Sequence, residues 1–339
     1  MTRILGIETS CDETSVAIVD DGRSVLASLI ATQHELHRKY TGVVPEIAAR
    51  AHIECLDLLI RDAFEAANCT HESIDAIAVT SHPGLIGSLL VGVTAAKTLA
   101  WAWGKPLIGV NHIEAHATSA AITVSETPWP AVALVVSGGH TSLYRVNDFQ
   151  DIRLLGGTID DAAGEAFDKV AAILQLGYPG GPIVDRCART GRQDAVALPR
   201  TMLASDSLDF SFSGLKTAVL YYVHGPGRTT GGLERLSSAD IDDICASFSA
   251  AVVDVLVRKT LRAADMCGLK SVVVGGGVAA NSLLRERLAT ACRDRKYALH
   301  QTPPEFCTDN AAMIAALGFH LLAAGHRSDL TLDARASLA

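Results

Sequence analysis

Residues 131–146 read AVALVVSGGHTSLYRV: an apolar run, a polar turn at Ser137, Gly138, Gly139, His140 and Thr141, then a second run suited to a strand. This is a β-hairpin pattern whose tight turn is supplied by glycine. The same design stands at the amino end, where ILGIE, TSCDET and SVAIVDDGRSVLASLI give strand, polar turn and strand, with turn chemistry at Asp20, Asp21 and Gly22. Each hairpin is followed by alternating strand and helix patterns: SIDAIAVTSHPG leads into LLVGVTAAKTLAWAWG, and LKSVVVGGGVAA into NSLLRERLATAC. Two hairpins of one design predict a duplicated α/β architecture. Its sheets must be mixed, because hairpins require antiparallel neighbours and helical crossovers parallel ones.

Length agrees with duplication, since 339 residues exceed the roughly 250–300 at which one core usually divides. With 49% hydrophobic and 19% charged residues the chain has enough apolar material for two cores and too little charge for disorder. The expected division is a first lobe over 1–125, a second over 126–308, and a polar tail over 326–339, from His326, that is expected to be unstructured. A helical insertion at about 31–70, reading as helix from Pro45, belongs to the first lobe, which a helix over 309–325 completes. Tyr222 to Asp240 reads as a mobile loop.

A net charge of −8 and 5% aromatics make autonomous nucleic-acid binding a poor fit, so a nucleic-acid partner would need a basic patch or a helper protein. The eight cysteines form no C-x-x-C pair, and no basic segment precedes an apolar one at the amino end. Reduced thiols and a cytoplasmic location are expected. The uncharged stretch Ala76 to Ala96 is interrupted by His82, Pro83 and glycines, and so reads as strand, turn and helix instead of a membrane span.

Several residues are suited to chemistry. His112 and His116 are four apart, on one helical face after an apolar strand, a spacing that clamps a metal and also occurs in bystander pairs. Glu114 lies about 200° round that helix from His112, too far to serve as the base of a zinc protease. Asp309, just before an apolar helix, reads first as an N-cap and second as a third ligand. Two histidines and a carboxylate suit Fe(II) or Zn(II) with open coordination positions. The glycine turns VVSGGHT and VVVGGGVAAN follow buried strands and can cradle phosphate, or merely tighten a turn and allow close packing. Asp12 and Glu13 orient a metal, accept a proton or brace the turn. Asp161, Glu165 and Asp168 read as a solvated helix face; Asp185 falls in the first turn of a helix begun at Pro182, for the dipole or a ribose; Asn281 is an early-helix polar residue.

The strings GIETSCDET, GVVPEIAARAH, HPGLIGSLLVG, NHIEAHATS, LVVSGGHTSLY, IDDAAGEAFDKV, YPGGP, DFSFSGLKTA, GGGVAANSLLR and CTDNAAMIA occur in one order along nearly the whole chain. Together they closely resemble the universal tRNA threonylcarbamoyladenosine transferase family, bacterial TsaD. The resemblance implies two actin-like, ribonuclease H-like lobes with a ligand cleft between them. It implies metal ligation by His112, His116 and Asp309, with Fe2+ as the cofactor and Zn2+ as the alternative, which reverses the capping-first order for Asp309. Val135, Val136, Ser137, Gly138, Gly139, Asp168, Gly181, Asp185 and Asn281 match positions that hold substrate. Asn111 departs from the two-histidine run usual before the helix. The implied reaction moves threonylcarbamoyl from its mixed anhydride with AMP to the exocyclic amine of the adenosine beside the anticodon, in tRNAs reading codons that begin with A. The partners are tRNA, TsaB and TsaE, with no membrane. Asp12 is the candidate for orienting that amine or taking its proton. A small-molecule kinase of the same superfamily is the alternative, and a non-catalytic assembly partner ranks behind it.

Overall fold

The structure is a computed structural model describing residues 1–40, 42–124, 126–203 and 206–337. In chain order it runs β1 (Arg3–Glu8), β2 (Glu13–Asp20), β3 (Ser24–Thr32), α1 (His34–His37), α2 (Pro45–Ala66), β4 (Ala76–His82), α3 (Ile86–Trp103), β5 (Leu107–Asn111) and α4 (His112–Thr118). A second series follows: β6 (Ala131–Val136), β7 (Thr141–Val146), β8 (Ile152–Gly157), α5 (Ala163–Ile173), α6 (Gly180–Ala188), α7 (Ser213–His224), α8 (Ser238–Cys267), β9 (Ser271–Gly275), α9 (Ser282–Arg295) and β10 (Ala298–Gln301). Last comes α10 (Ala311–Ala323), which belongs with the first series. One compact unit holds Met1–Thr127, Asp148–Asp151 and the chain from Thr302; the other holds Pro128–Asn147 and Ile152–Gln301. The first unit thus takes up the chain at Thr302, ahead of the expected 309.

Each unit contains one five-stranded sheet, and the two sheets share one topology. The orders are β3-β2-β1-β4-β5 and β8-β7-β6-β9-β10. In each, the two hairpin pairings are antiparallel and the two crossover pairings parallel. The duplication and the mixed sheets read from the two hairpins are therefore present strand for strand. At the β2–β3 reversal Asp21 and Gly22 adopt positive φ of 50° and 69°, the conformation a tight hairpin demands.

In the first unit both sheet faces are buried, so its strands are apolar at successive positions and not merely alternate ones. Leu5, Ile7, Ile77 and Val79 face Leu56 of α2 and Leu89 and Val93 of α3. Ile4, Ala76 and Ala78 face the other way, onto Ala311, Ile314 and Ala315 of α10. By length and composition α3 is apolar enough to cross a membrane, yet Leu89, Gly92, Val93 and Ala96 are buried in the unit. A Cβ on Gly92 would overlap the Thr9 hydroxyl.

Four expectations need correction. The tail after Gly325 is anchored at several described residues: Ser328 N–H donates to the Leu107 carbonyl (2.8 Å), Arg335 N–H donates to that of Ser81 (2.9 Å), and Ala334 is buried. Leu332 occupies the space that a side chain at Gly109 would need, its Cδ1 lying 2.8 Å from where a Cβ would stand. The irregular segment is shorter than Tyr222 to Asp240, because α7 continues to His224 and a capping box of Ser237 and Asp240 starts α8 at Ser238. Helix α6 begins at Gly180, so Asp185 stands in its second turn. Asp161 precedes α5 and pairs with Lys169 (2.7 Å) and Lys216 (3.3 Å), and is not a solvated residue on the helix.

Candidate metal centre and substrate-binding residues

Strand β5 ends at Asn111, and the chain turns at once into α4. Asn111 caps that helix, its Oδ1 accepting the N–H groups of Ile113 (2.9 Å) and Glu114 (3.3 Å). The departure from the family's histidine thus installs a favoured N-cap residue. Helical spacing then stacks His112 and His116 on one face, edge to face, with ring centroids 4.7 Å apart. Both rings are buried, at 3% and 1% exposure.

Asp309 reaches the same place from the far end of the sequence. Its Oδ1 lies 3.0 Å from His116 Nε2 and 3.6 Å from His112 Nε2. It is not the cap of α10. That role falls to Asn310, whose Oδ1 accepts Met313 N–H at 3.0 Å, while Ser15 Oγ accepts Ala311 N–H at 2.9 Å. With the helix end satisfied by its neighbours, the Asp309 carboxylate faces the histidines. One ligand atom from each of the three residues lies within 4.8 Å of the other two.

Glu8 is the participant that sequence reasoning missed. It sits at the end of β1, fully buried, and its Oε2 faces His112 Nδ1 at 3.0 Å. Thr80 Oγ1 and Ser10 N–H donate to the two carboxylate oxygens, each at 2.5 Å. Burial opposes a charge on either member of the Glu8–His112 pair. Their mutual attraction prevails, holding the Glu8 carboxyl below its usual range and pushing His112 up to about 9. The available signal was a lone carboxylate in an otherwise apolar strand, a position that requires a partner.

The set fits a divalent cation on two observations. Glu8 holds the Nδ1 proton of His112, which leaves Nε2, the atom facing Asp309, as the donor; this carboxylate–histidine arrangement is the usual support of a metal-ligating ring. His116 Nδ1 is buried without a hydrogen-bond partner among the described residues, an orphan polar atom of the kind found at functional sites. Two imidazoles and a carboxylate suit iron(II) or zinc(II).

The turn Glu8–Glu13 adds a second group, Asp12, Glu13 and His34, also with ligand atoms within 4.8 Å of one another. Asp12 and Glu13 are 7% and 9% exposed. Burial pushes the Glu13 carboxyl up to about 8, although His34 Nε2 lies 3.3 Å away.

The other predicted residues lie in the second unit, where contacts link them in sequence. Val135 and Val136 are fully buried in β6, and a Cβ on Gly276 would overlap the Val136 carbonyl. The Ser137 amide is already used, donating to the His140 carbonyl at 2.8 Å. Gly138 and Gly139 are exposed, and a Cβ on either would meet nothing within 4 Å. Gly164 and Glu165 of α5 donate N–H to the carbonyls of Ser137 and Gly138. Asp168, farther along α5, accepts Gly180 N–H at 2.7 Å. Gly181 follows with open space around its Cα. From α6, Asp185 Oδ1 accepts Ser282 N–H (3.0 Å) and Oγ–H (2.8 Å). Asn281 caps α9 through Leu284 N–H at 2.9 Å. The Ser137 amide being engaged, any phosphate at this turn would have to use the Gly138 and Gly139 amides, while Asp168 and Asp185 brace helices.

Comparison with known proteins extends the picture. The family model for tRNA N6-adenosine threonylcarbamoyltransferase matches residues 24–316. A protein of that name from Symbiobacterium thermophilum is 53% identical over 331 residues, covering 98% of this chain and 95% of its own. One from Anaeromyxobacter dehalogenans is 49% identical over 337 residues, covering 98% of each. Among solved structures, HypF of T. kodakarensis aligns with a TM-score of 0.62 at 14% identity, over 95% of this chain and 48% of that one. The activator of 2-hydroxyisocaproyl-CoA dehydratase from Clostridium difficile aligns at 0.56 and 15%, over 96% and 97%. Those two likenesses are of fold alone, the actin-like ATPase architecture. With half its residues identical to these relatives over almost their full length, the chain belongs to the tRNA N6-adenosine threonylcarbamoyltransferase family.

Proposed function

We propose that this protein transfers a threonylcarbamoyl group from threonylcarbamoyl-AMP to the exocyclic N6 amine of the adenosine beside the anticodon of tRNA, with His112, His116 and Asp309 holding a divalent metal. The observation that carries the metal assignment is the convergence of those three side chains, two of them buried, with His112 tethered to Glu8. A kinase of the same fold has no need of such a set.

In this reaction a C–N bond forms between N6 and the carbamoyl carbon, the anhydride C–O bond breaks, AMP leaves, and N6 gives up a proton. A bound iron(II) or zinc(II) ion supplies Lewis-acid polarisation of an acyl-donor oxygen. The residues divide the remaining work. Glu8 fixes the tautomer of His112. Gly138 and Gly139 offer backbone N–H groups to the phosphate, with no side chain to obstruct it. Asp185 and Asn281 stand at the start of α9 for the nucleoside. Asp12, buried in the turn after β1, is the acceptor for the amine proton. The net charge of −8 calls for helper proteins to hold tRNA, the role assigned here to TsaB and TsaE.

The decisive assay combines the purified chain, TsaB, TsaE, ATP, threonylcarbamoyl-AMP and unmodified tRNA, then analyses the nucleosides by mass. One adenosine per tRNA is expected to gain the threonylcarbamoyl mass. Unaltered tRNA, together with phosphate release from a sugar or carboxylate panel, would establish the kinase instead. Asp12→Asn is expected to slow transfer by about 100-fold, the lower range for loss of a general base; wild-type turnover would remove Asp12 from the reaction.

A further inference from the structure

The turn between β1 and β2 is held by three consecutive carbonyls, each receiving an N–H from a different element. Leu85 N–H donates to Ser10 O (2.8 Å) and Gln33 N–H to Asp12 O (3.1 Å). Between them, His52 Nε2 lies 3.0 Å from Cys11 O. Of the three donors only His52, on α2, is a side chain.

Its tautomer follows from its partners. A carbonyl only accepts, so Nε2 carries the proton and Nδ1 is the acceptor. Thr14 Oγ1 stands 2.7 Å from Nδ1 and donates to it, with Gln33 Nε2 at 3.4 Å. Gln33 Oε1 in turn accepts from His37 Nε2 (3.2 Å), and His37 Nδ1 accepts Val44 N–H (3.3 Å). Donors and acceptors thus run in one direction, from the residue capping α2 to the Cys11 carbonyl. The four side chains of this series, Gln33, His37, His52 and Thr14, are all buried. Burial also holds His52 below the usual imidazole range, in keeping with a neutral ring.

The far side of the same turn touches the candidate metal centre. Ser10 Oγ lies 3.2 Å from His112 Nδ1, and Ser10 N–H donates to Glu8. We propose that His52 is a positioning residue of the metal centre: by holding the Cys11 carbonyl it fixes Ser10 against His112 and Glu8, so that α2 sets the geometry of a ligand it does not touch. This rests on the reading of His112, His116 and Asp309 as metal ligands, and the test separates the two.

Cobalt(II) is titrated into the full chain and followed by its ligand-field absorption, with thermal midpoints measured alongside. Asparagine mimics the Nδ1 position of histidine and glutamine the Nε2 position. His52→Asn is expected to weaken cobalt binding at least tenfold, within the range for lost outer-shell support, and to shift the absorption bands. His52→Gln, whose amide reaches the Cys11 carbonyl, is expected to stay within twofold of wild type. Equal losses in both variants would reduce His52 to a packing residue, and no loss in either would remove its role; both overturn the proposal. Failure of the wild type to bind cobalt would overturn the metal reading and this proposal with it. Should His52→Asn not fold, the 15N shifts of the wild-type ring decide: protonation at Nε2 is expected, and at Nδ1 the proposal fails.

Discussion

Replacement of His112 by asparagine is expected to abolish metal binding while leaving the fold intact, and replacement by alanine to damage both. The difference lies with Glu8, a carboxylate with no exposed surface whose oxygens face Thr80, Ser10 and His112. Alanine leaves that charge without its cationic partner, and breaking a buried pair in this way costs about 3–5 kcal/mol. Asparagine places an N–H near the former Nδ1 and satisfies Glu8, but it offers nothing where Nε2 faced Asp309. Iron or zinc content by elemental analysis is expected to fall by at least about 100-fold in affinity for either variant, since even outer-shell losses cost 10–100-fold. Threonylcarbamoyl transfer falls with it. Full metal content in His112→Asn would reject the site.

The same pair predicts how the metal-free protein responds to pH. His112 is raised from 6.5 to about 9 on folding, so its contribution is complete below pH 6.5 and is lost as pH rises through about 9. Glu8 is lowered, so its contribution is present above its unfolded value and is lost at acid pH. Denaturant midpoints of the metal-free wild type are therefore expected to fall between pH 6.5 and 9. A flat profile in that interval would show that the histidine is neutral in the folded chain.

Gly6→Ala is expected to lower stability about as much as breaking the Glu8–His112 pair does. A Cβ at this position in β1 would overlap the Ala311 carbonyl oxygen and stand 2.9 Å from the Ala315 Cβ. The obstruction is backbone of the first turn of α10, which cannot rotate aside. Overpacking usually costs 1–3 kcal/mol, and about 3 kcal/mol is expected here by urea denaturation. Because Asp309 precedes Ala311 by two residues, the displaced helix should also carry that ligand away from His116, and metal affinity should drop with stability. Gly42→Ala, with nothing within 4 Å of its Cβ, is the control and should be neutral. A Gly6→Ala protein as stable as wild type would show that α10 can shift without cost.

The strands, the duplication and the pairing of His112 with His116 were legible because they depend on local periodicity: apolar runs broken by glycine turns for the sheets, and a four-residue interval for the histidines. Family motifs carried the assignment of Asp309 as a ligand, which local chemistry ranked second, since an aspartate before an apolar helix has the same appearance as a cap. Asn310 stands next to it with equal capping chemistry, and only the helix start at Ala311 decides which residue caps and which faces inward. Glu8 drew no reading from the sequence because its partner lies 104 residues away. The tail from His326 was read as unstructured because its polar composition hides Leu332 and Ala334, and the room for Leu332 is made by Gly109 in a distant strand.

Sequence alone therefore determined the fold class, the hairpin-led repeat and the residue types able to bind a metal, all of which follow from short-range patterns of polarity. Tertiary structure decided which carboxylate faces the two histidines, which nitrogen of His112 meets Glu8, which amide of the glycine turn is already bonded, and how His52 reaches the Cys11 carbonyl. Those outcomes depend on where separate segments meet, and a hydrogen bond or a burial cost is defined only once both partners are in place.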